Sequence, residues 1–354
     1  MSAGAVDVPV PAVHRLVADI LVAHGVPSAD AEVVASRMLD ADIRGVRTHG
    51  IARLEPYCQR IDAGGYNLTP DIRVVRETSV TALIDGDNGF GQLVVTRAAD
   101  LAIAKAAEHG LAWVGTRCSN HAGAAGVYAS MALDHGMIGI CLAVGNANQT
   151  PPWGGVDVLL STNPIAVAIP AGEQPPVVLD IATTVASLGR IKATQERGER
   201  MPEGWVVDRT GAPITDPARA SEGFLLPIGG YKGYGLGLVV GLLAGVVNGA
   251  AMGSQVIDMS KDLATPTNSG QLVIALRPDV FQEPEEFRSA MDARIRELRE
   301  STPMEGHGPV RTPGDQMRSR IERARTDGLS VPVELATRLA ALAGRVGVAP
   351  DPFA

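Results

Sequence analysis

The sequence predicts an α/β protein with a helical N-terminal region, on three observations. Apolar residues recur at helical spacing through the first 65 positions. From about residue 72 short apolar runs alternate with helical stretches. No G-x-G-x-x-G follows a strand, so the ordinary dinucleotide-binding fingerprint is missing.

The elements follow in order. Val13, Leu16, Val17, Ile20 and Leu21 make one apolar face, stopped at Gly25. Ser28 is placed to cap a second helix with Ala31, Val34, Met38 and Ala41 inward, ending at Gly45. A third carries Ile51, Leu54, Cys58 and Ile61 and stops at Gly64-Gly65. Val80, Ala82 and Ile84 alternate as a half-buried strand before the turn cluster Asp85 to Gly89. Then come a helix (Gln92 to Glu108), a strand (Leu111 to Thr116) and a helix (Gly123 to Leu133). Met137 to Val144, Ile165 to Ile169 and Val177 to Leu179 read as buried strands. A glycine-laden apolar helix (Gly233 to Asn248), a strand (Gln271 to Leu276) and a charged helix (Pro284 to Glu300) follow. Two short helices close the chain, with Leu335, Leu339 and Leu342 on one face of the last. Residues 197–203, 213–217 and 301–313 read as connecting loops.

Composition narrows the function. A chain of 354 residues with 45% apolar and 20% charged content buries a large core in two or three closely packed parts. Aromatics are 4% against 40 glycines, so packing relies on close backbone approach. A net charge of −8 without a basic stripe argues against nucleic acid, while a local Arg or Lys still suits an anionic small molecule. Cys58, Cys118 and Cys141 form no C-x-x-C and are odd in number, as expected of a cytoplasmic protein. Cys118 lies three residues before His121, but no second motif supports acyl transfer. No signal peptide is read at Met1 to Val10. The apolar run Tyr234 to Val247, about 14 residues, falls short of the roughly 20 that span a bilayer.

Two histidines sit in glycine-flanked turns: Thr48-His49-Gly50, and Asn120-His121-Ala122-Gly123-Ala124-Ala125-Gly126. Histidine, with an unperturbed pKa of roughly 6.5, exchanges protons at neutral pH. Glycine beside it lets a ligand or a second backbone come close. His14, His24, His109, His135 and His307 lack this setting. No carboxylate or thiolate partner is placed for a metal at His49 and His121, so no metal is expected. The strand-to-helix junction at Gly123 to Gly126 could aim backbone N–H groups at a phosphate or simply form a tight turn. Lys232 between glycines has the same two readings.

These residues resemble the type 2 malate/L-lactate dehydrogenase family. The resemblance runs in order through Asp42-Ile43-Arg44-Gly45-Val46-Arg47-Thr48-His49-Gly50-Ile51-Ala52-Arg53, Asn120 to Gly126, Pro152-Trp153-Gly154-Gly155 and Thr162-Asn163-Pro164. It continues through Asp180 to Thr184, Pro202-Glu203-Gly204-Trp205, Gly229 to Leu236 and Pro313-Gly314. It covers roughly residues 10 to 345. That family includes malate, lactate, sulfolactate and ureidoglycolate dehydrogenases, diketogulonate reductase and cyclic imino acid reductases.

The resemblance implies an NAD- or NADP-dependent oxidoreductase with a non-Rossmann α/β fold and a central mixed sheet, usually an intimate homodimer. Residues 1–75 would pack with the C-terminal helices 284–354, 76–200 would form the cofactor-binding part, and 201–283 the remainder with the Gly-rich helix. It implies cofactor contacts from His121-Ala122-Gly123-Ala124-Ala125, Asp180-Ile181-Ala182, Lys232-Gly233 and Arg311-Thr312-Pro313-Gly314. His49 and His121 are the implied acid/base candidates, with Thr48 orienting His49 where serine is usual. Arg53 and Thr162 match substrate contacts, and an Arg fork suits a carboxylate. Some members carry an arginine just before the position of Asn268, where this chain has Thr267. A substrate with one carboxylate, a small 2-oxo acid or a cyclic 2-imino acid, is therefore expected. Malate remains the alternative if another arginine such as Arg47 compensates, and a non-catalytic scaffold is the alternative of another class. Arg190, Lys192 and Arg311 are candidate partners for a 2′-phosphate.

Overall fold

The computed structural model describes residues 4–353. The chain runs β1 (Ala5–Val8), α1 (Val10–Ala23), α2 (Ser28–Ile43), α3 (Leu54–Asp62), β2 (Arg73–Glu77), β3 (Thr81–Asp85) and α4 (Gly91–His109). It continues with β4 (Leu111–Ser119), α5 (Ala125–Met131), β5 (Ile138–Ala143), β6 (Ile165–Ile169), β7 (Val177–Ile181) and α6 (Leu188–Glu196). Then follow β8 (Val206–Val207), β9 (Phe224–Leu225), α7 (Tyr231–Ala244), β10 (Ser269–Leu276), α8 (Pro284–Glu300), α9 (Asp315–Thr326), β11 (Leu329–Pro332) and α10 (Val333–Arg345).

Seven strands form one mixed sheet in the order β2-β3-β4-β10-β5-β6-β7. Only β3 and β4 run parallel, with α4 as their crossover; every other neighbour is antiparallel. β10 enters between β4 and β5 and pairs with both along its length. Segment 201–283 thus contributes β10 to the middle of the sheet. α9 and α10 do pack on α2 and α1. α8 instead anchors to the β6–β7 turn, where Asp292 accepts N–H bonds from Gly172, Glu173 and Gln174.

One core joins α1, α2, α3 and α10, including Val13, Leu21, Met38 and Leu339. A second lies under the sheet, where small residues (Ala98, Ala102, Ala129, Ala166) bring α4 and α5 close to the strands. Ser28 is the first residue of α2 rather than its cap; Pro27 holds the cap position. Residues 47–53 form two 3-10 turns that carry His49 between α2 and α3.

The Gly-rich helix begins earlier than expected and ends in a 3-10 turn, Val246–Asn248. The stretch Tyr231–Asn248 is 18 residues, long and apolar enough by length and composition to cross a membrane. The expectation that the run was too short is thus corrected. Here its buried face packs on β5 and β10. Two of its glycines are set by space: a Cβ on Gly237 would lie 2.8 Å from Thr183 Oγ1, and one on Gly241 2.8 Å from Asn163 Nδ2.

Gly115 in β4 marks the same kind of approach. A Cβ there would lie 2.0 Å from Asn248 Oδ1, while Asn248 Nδ2 bonds the carbonyls of Ala244 (2.8 Å) and Gln271 (2.9 Å). Gly115→Ala would strip those buried carbonyls of their donor, at an expected cost of about 2 kcal/mol or more. The drop in the urea midpoint measures it; a loss below about 1 kcal/mol would mean that Asn248 moves aside freely.

Candidate active site

Two turns and two strand ends converge on a cleft of about 320 Å³. The 47–53 turn brings Thr48, His49 and Arg53; the end of β4 brings His121 to Ala125; the end of β7 brings Asp180 and Ala182; the β5–β6 connection brings Asn146, Gln149 and Thr162. The two histidine rings, 72 positions apart in sequence, stack with centroids 5.5 Å apart and planes at 22°.

His121 is held in one tautomer. Gln92 Nε2–H donates to the Tyr57 hydroxyl oxygen at 3.1 Å, and the Tyr57 O–H, facing an Nδ1 that already accepts a backbone N–H, donates to His121 Nδ1 at 2.6 Å. The Gly123 backbone N–H also donates to Nδ1, at 3.3 Å. With Nδ1 accepting twice, the ring proton sits on Nε2. His49 differs: its Nδ1 lies 2.8 Å from Thr48 Oγ1, a hydroxyl that can donate or accept.

Burial dominates the electrostatics. Loss of solvent pushes His49 down to about 4, with the Arg53 charge adding to it. The same causes, with His49 itself as a third, hold His121 well below the ordinary histidine value. Burial lifts Asp180 to about 6, against a bond from the Gly126 N–H (3.0 Å) and the Arg44 charge. Arg53 Nε–H donates to the Thr48 carbonyl at 2.9 Å, leaving the outer guanidinium nitrogens without a partner among the described residues.

Not every expected contact reaches the cleft. Ile181, Lys232, Gly233 and Arg311 to Gly314 do not line it. Lys232 and Arg311 are exposed. Thr312 instead bonds the first residue of α9, its backbone N–H donating to Asp315 Oδ2 at 2.8 Å, and the Pro313 carbonyl accepts the Val178 N–H at 3.0 Å. The N–H at Gly126, expected to face a phosphate, is taken by Asp180. Arg190 stacks on Trp205 at 4.6 Å and Lys192 pairs with Glu196, so neither faces the cleft. Thr267 is buried, its hydroxyl on the Ser119 carbonyl at 2.9 Å. Cys118 is outside the cleft, and among the described residues no three His, Cys, Asp or Glu converge as metal ligands. Sequence reasoning missed Tyr57 and Gln92. Tyr57 lay in view, four residues after Arg53 on one helical face, whereas Gln92 had no signal.

A family model described as malate/L-lactate dehydrogenase matches residues 8–340. The chain belongs to the malate/L-lactate dehydrogenase family. It is 38% identical to the L-sulfolactate dehydrogenase of Methanocaldococcus jannaschii over 340 residues, 94% of this chain and 95% of that one. Identity is 34% to the ureidoglycolate dehydrogenase (NAD(+)) of Escherichia coli, over 90% of each chain. It is 33% to the Delta(1)-pyrroline-2-carboxylate reductase of Ancylobacter novellus, over 94% of this chain and 96% of that one. A solved structure of sulfolactate dehydrogenase from M. jannaschii matches with a TM-score of 0.90 at 36% identity, covering 98% of this chain and 99% of that one. This member of the malate/L-lactate dehydrogenase family is an oxidoreductase of the dehydrogenase/reductase kind, acts on a small molecule and uses a nicotinamide cofactor.

The histidine environments predict a titration. Because the folded value of His49 lies below the roughly 6.5 of the unfolded chain, its contribution to stability is complete above pH 6.5. That contribution is lost as pH falls through about 4. The His49 ring resonance should therefore titrate near 4 in the free protein, and a value above 6 would contradict the burial seen here.

Proposed function

We propose that this enzyme, with NAD or NADP, interconverts a small 2-oxo acid or cyclic 2-imino acid and its reduced form at the α-carbon. The observation that carries the reading is a single cation, Arg53, on the same cleft wall as two stacked neutral histidines.

The cleft fits a nicotinamide nucleotide. Val95, Tyr128, Ala143 and Val144 give it an apolar wall suited to a flat ring. Gly123 has φ +78° and no Cβ, so the 121–125 backbone can approach a ligand. Asp180 keeps one carboxylate oxygen without a partner among the described residues, suited to a ribose hydroxyl. Gln149 lines the cleft with a buried Oε1 that no group among the described residues satisfies. Residues 121–125, Asp180 and Ala182 would hold the cofactor, with Lys232-Gly233 and the 311–314 loop as outer supports. When bound, it supplies or accepts the hydride equivalent of the reaction.

The chain supplies the proton. His121 cannot become an imidazolium cheaply, because a protonated Nδ1 would face the Gly123 N–H. Burial pushes the Tyr57 hydroxyl up to about 12, so it stays protonated as the donor to His121 Nδ1. His121 therefore acts as a neutral Nε2–H donor to the substrate oxygen or nitrogen. His49 is the acid/base, because the Thr48 hydroxyl serves either charge state by turning its own proton. The substrate carboxylate on Arg53 offsets the charge that holds His49 down and so favours its protonation in the complex.

A substrate with one carboxylate is favoured. Arg47 is exposed and away from the cleft, Thr267 is buried, and the remaining charges on the lining are Asp180 and Asp258. Three free cysteines support a cytoplasmic location. Leu236, Val239 and Leu242 on α7, with Val246 and Val247 after it, leave an apolar stripe exposed, which supports a homodimer built on this helix.

His49→Ala and His121→Ala should each lower kcat about 10²-fold or more with the fold intact. Thr48→Ser should stay near wild type, while Thr48→Val should follow His49→Ala. A panel of pyruvate, phenylpyruvate, piperideine-2-carboxylate and oxaloacetate with each cofactor tests the substrate reading; oxaloacetate far ahead of the rest would overturn it. A scaffold without chemistry would show no melting shift with NADH or NADPH. In sedimentation at low micromolar concentration the chain should run as a dimer, and a fully active monomer would exclude the α7 interface.

A further inference from the structure

We propose that Asp42 is a positioning residue for this site. Its buried carboxyl holds the 47–53 turn in the conformation that sets His49 against His121 and keeps Arg53 on the cleft wall. The proposal rests on the roles given above to His49 and Arg53, and adds a residue that touches neither substrate nor cleft.

Asp42 lies at the C-terminal end of α2 with 6% of its surface exposed. Its Oδ2 accepts the Ile51 N–H at 2.6 Å, in the middle of the segment that carries both functional side chains. Each 3-10 turn in that segment is three residues long and closes little by itself. Among the described residues, Asp42 is the only side chain from outside the turn that bonds its backbone.

Gly50 shows how closely the two are fitted. Its φ of −99° is negative, so a left-handed backbone does not explain the glycine. Space does: a Cβ would lie 2.0 Å from Asp42 Oδ2 and 2.3 Å from Cγ. The turn thus folds directly onto the carboxyl. No cation lies within ion-pair distance of Asp42 among the described residues, and burial lifts its carboxyl to about 7, with the Ile51 bond and the Arg47 charge opposing. A side chain that only filled this space would be more stable as a hydrocarbon. What the carboxyl adds is an acceptor aimed at one backbone N–H.

The test uses Asp42→Asn, Asp42→Ala and Gly50→Ala in the full chain. Asparagine keeps an acceptor oxygen at the same place and should hold kcat within about 3-fold of wild type. Asp42→Ala should lower kcat about 10-fold or more and raise KM for the carboxylate substrate, because His49 and Arg53 both shift. Its Kd for NADH or NADPH should stay within about 3-fold, since the cofactor segments stand on other elements. Lost stability alone would lower the folded fraction but leave KM per folded site unchanged. That result, or an Asn variant as impaired as the Ala one, overturns the proposal. Should Asp42→Ala not fold, Gly50→Ala, which forces turn and carboxyl apart, should show the same kcat and KM signature, and wild-type kinetics there would equally overturn it. The His49 ring titration in Asp42→Ala gives a readout apart from turnover: it should move away from about 4, and an unmoved value counts against the proposal even if no substrate on the panel is turned over.

Discussion

The insertion of β10 between β4 and β5 is the constraint on which the rest of the molecule depends. It joins segments about 150 positions apart into one sheet and fixes the strand ends from which the cleft is built. Gln271 shows how this reaches the chemistry. Its Oε1 accepts from Thr116 Oγ1 at 2.6 Å, and its Nε2–H donates to the Asn120 carbonyl at 3.1 Å, one residue before His121. Thr267, just before the strand, bonds the same segment through the Ser119 carbonyl and Asn120 Oδ1. A strand from late in the chain thus sets the backbone of a histidine from its middle.

Within that frame the two histidines differ through their hydrogen-bond partners. Both are held low by burial first and by Arg53 second. A backbone N–H and a committed tyrosine hydroxyl leave His121 one proton arrangement, while a free hydroxyl leaves His49 two. Desolvation lowers both pKa values and the partner decides which ring can change state. Groups held partly away from solvent are screened less, so a carboxylate placed on Arg53 acts on both rings.

Small residues make these approaches possible. Gly126 stands against Asp180, Gly139 against the Ala129 carbonyl, and Gly270 against the Ala244 carbonyl, each at a distance no Cβ would tolerate. With so few aromatic rings the protein gains its contacts from backbone lying close to backbone. One consequence is that many of its turns and strands depend on a single missing methyl group.

Hydrophobic periodicity by itself determined most elements, because the spacing of Val13, Leu16, Val17, Ile20 and Leu21, or of Val80, Ala82 and Ile84, answers to local geometry alone. The glycine-flanked turns likewise marked His49 and His121 before any contact was known, and the family resemblance added Arg53. Tertiary structure decided the rest. The place of β10 could not be read from an apolar run that suits any central strand. The tautomer of His121 depends on Tyr57, Gln92 and Gly123, from three separate elements. Arg190 and Lys192 looked like phosphate partners until Trp205 and Glu196 were seen beside them. Local sequence specifies which way a side chain faces its own helix or strand. Which group it meets there is set by long-range packing, where burial and a hydrogen-bond partner give the same residue type different charge and chemistry.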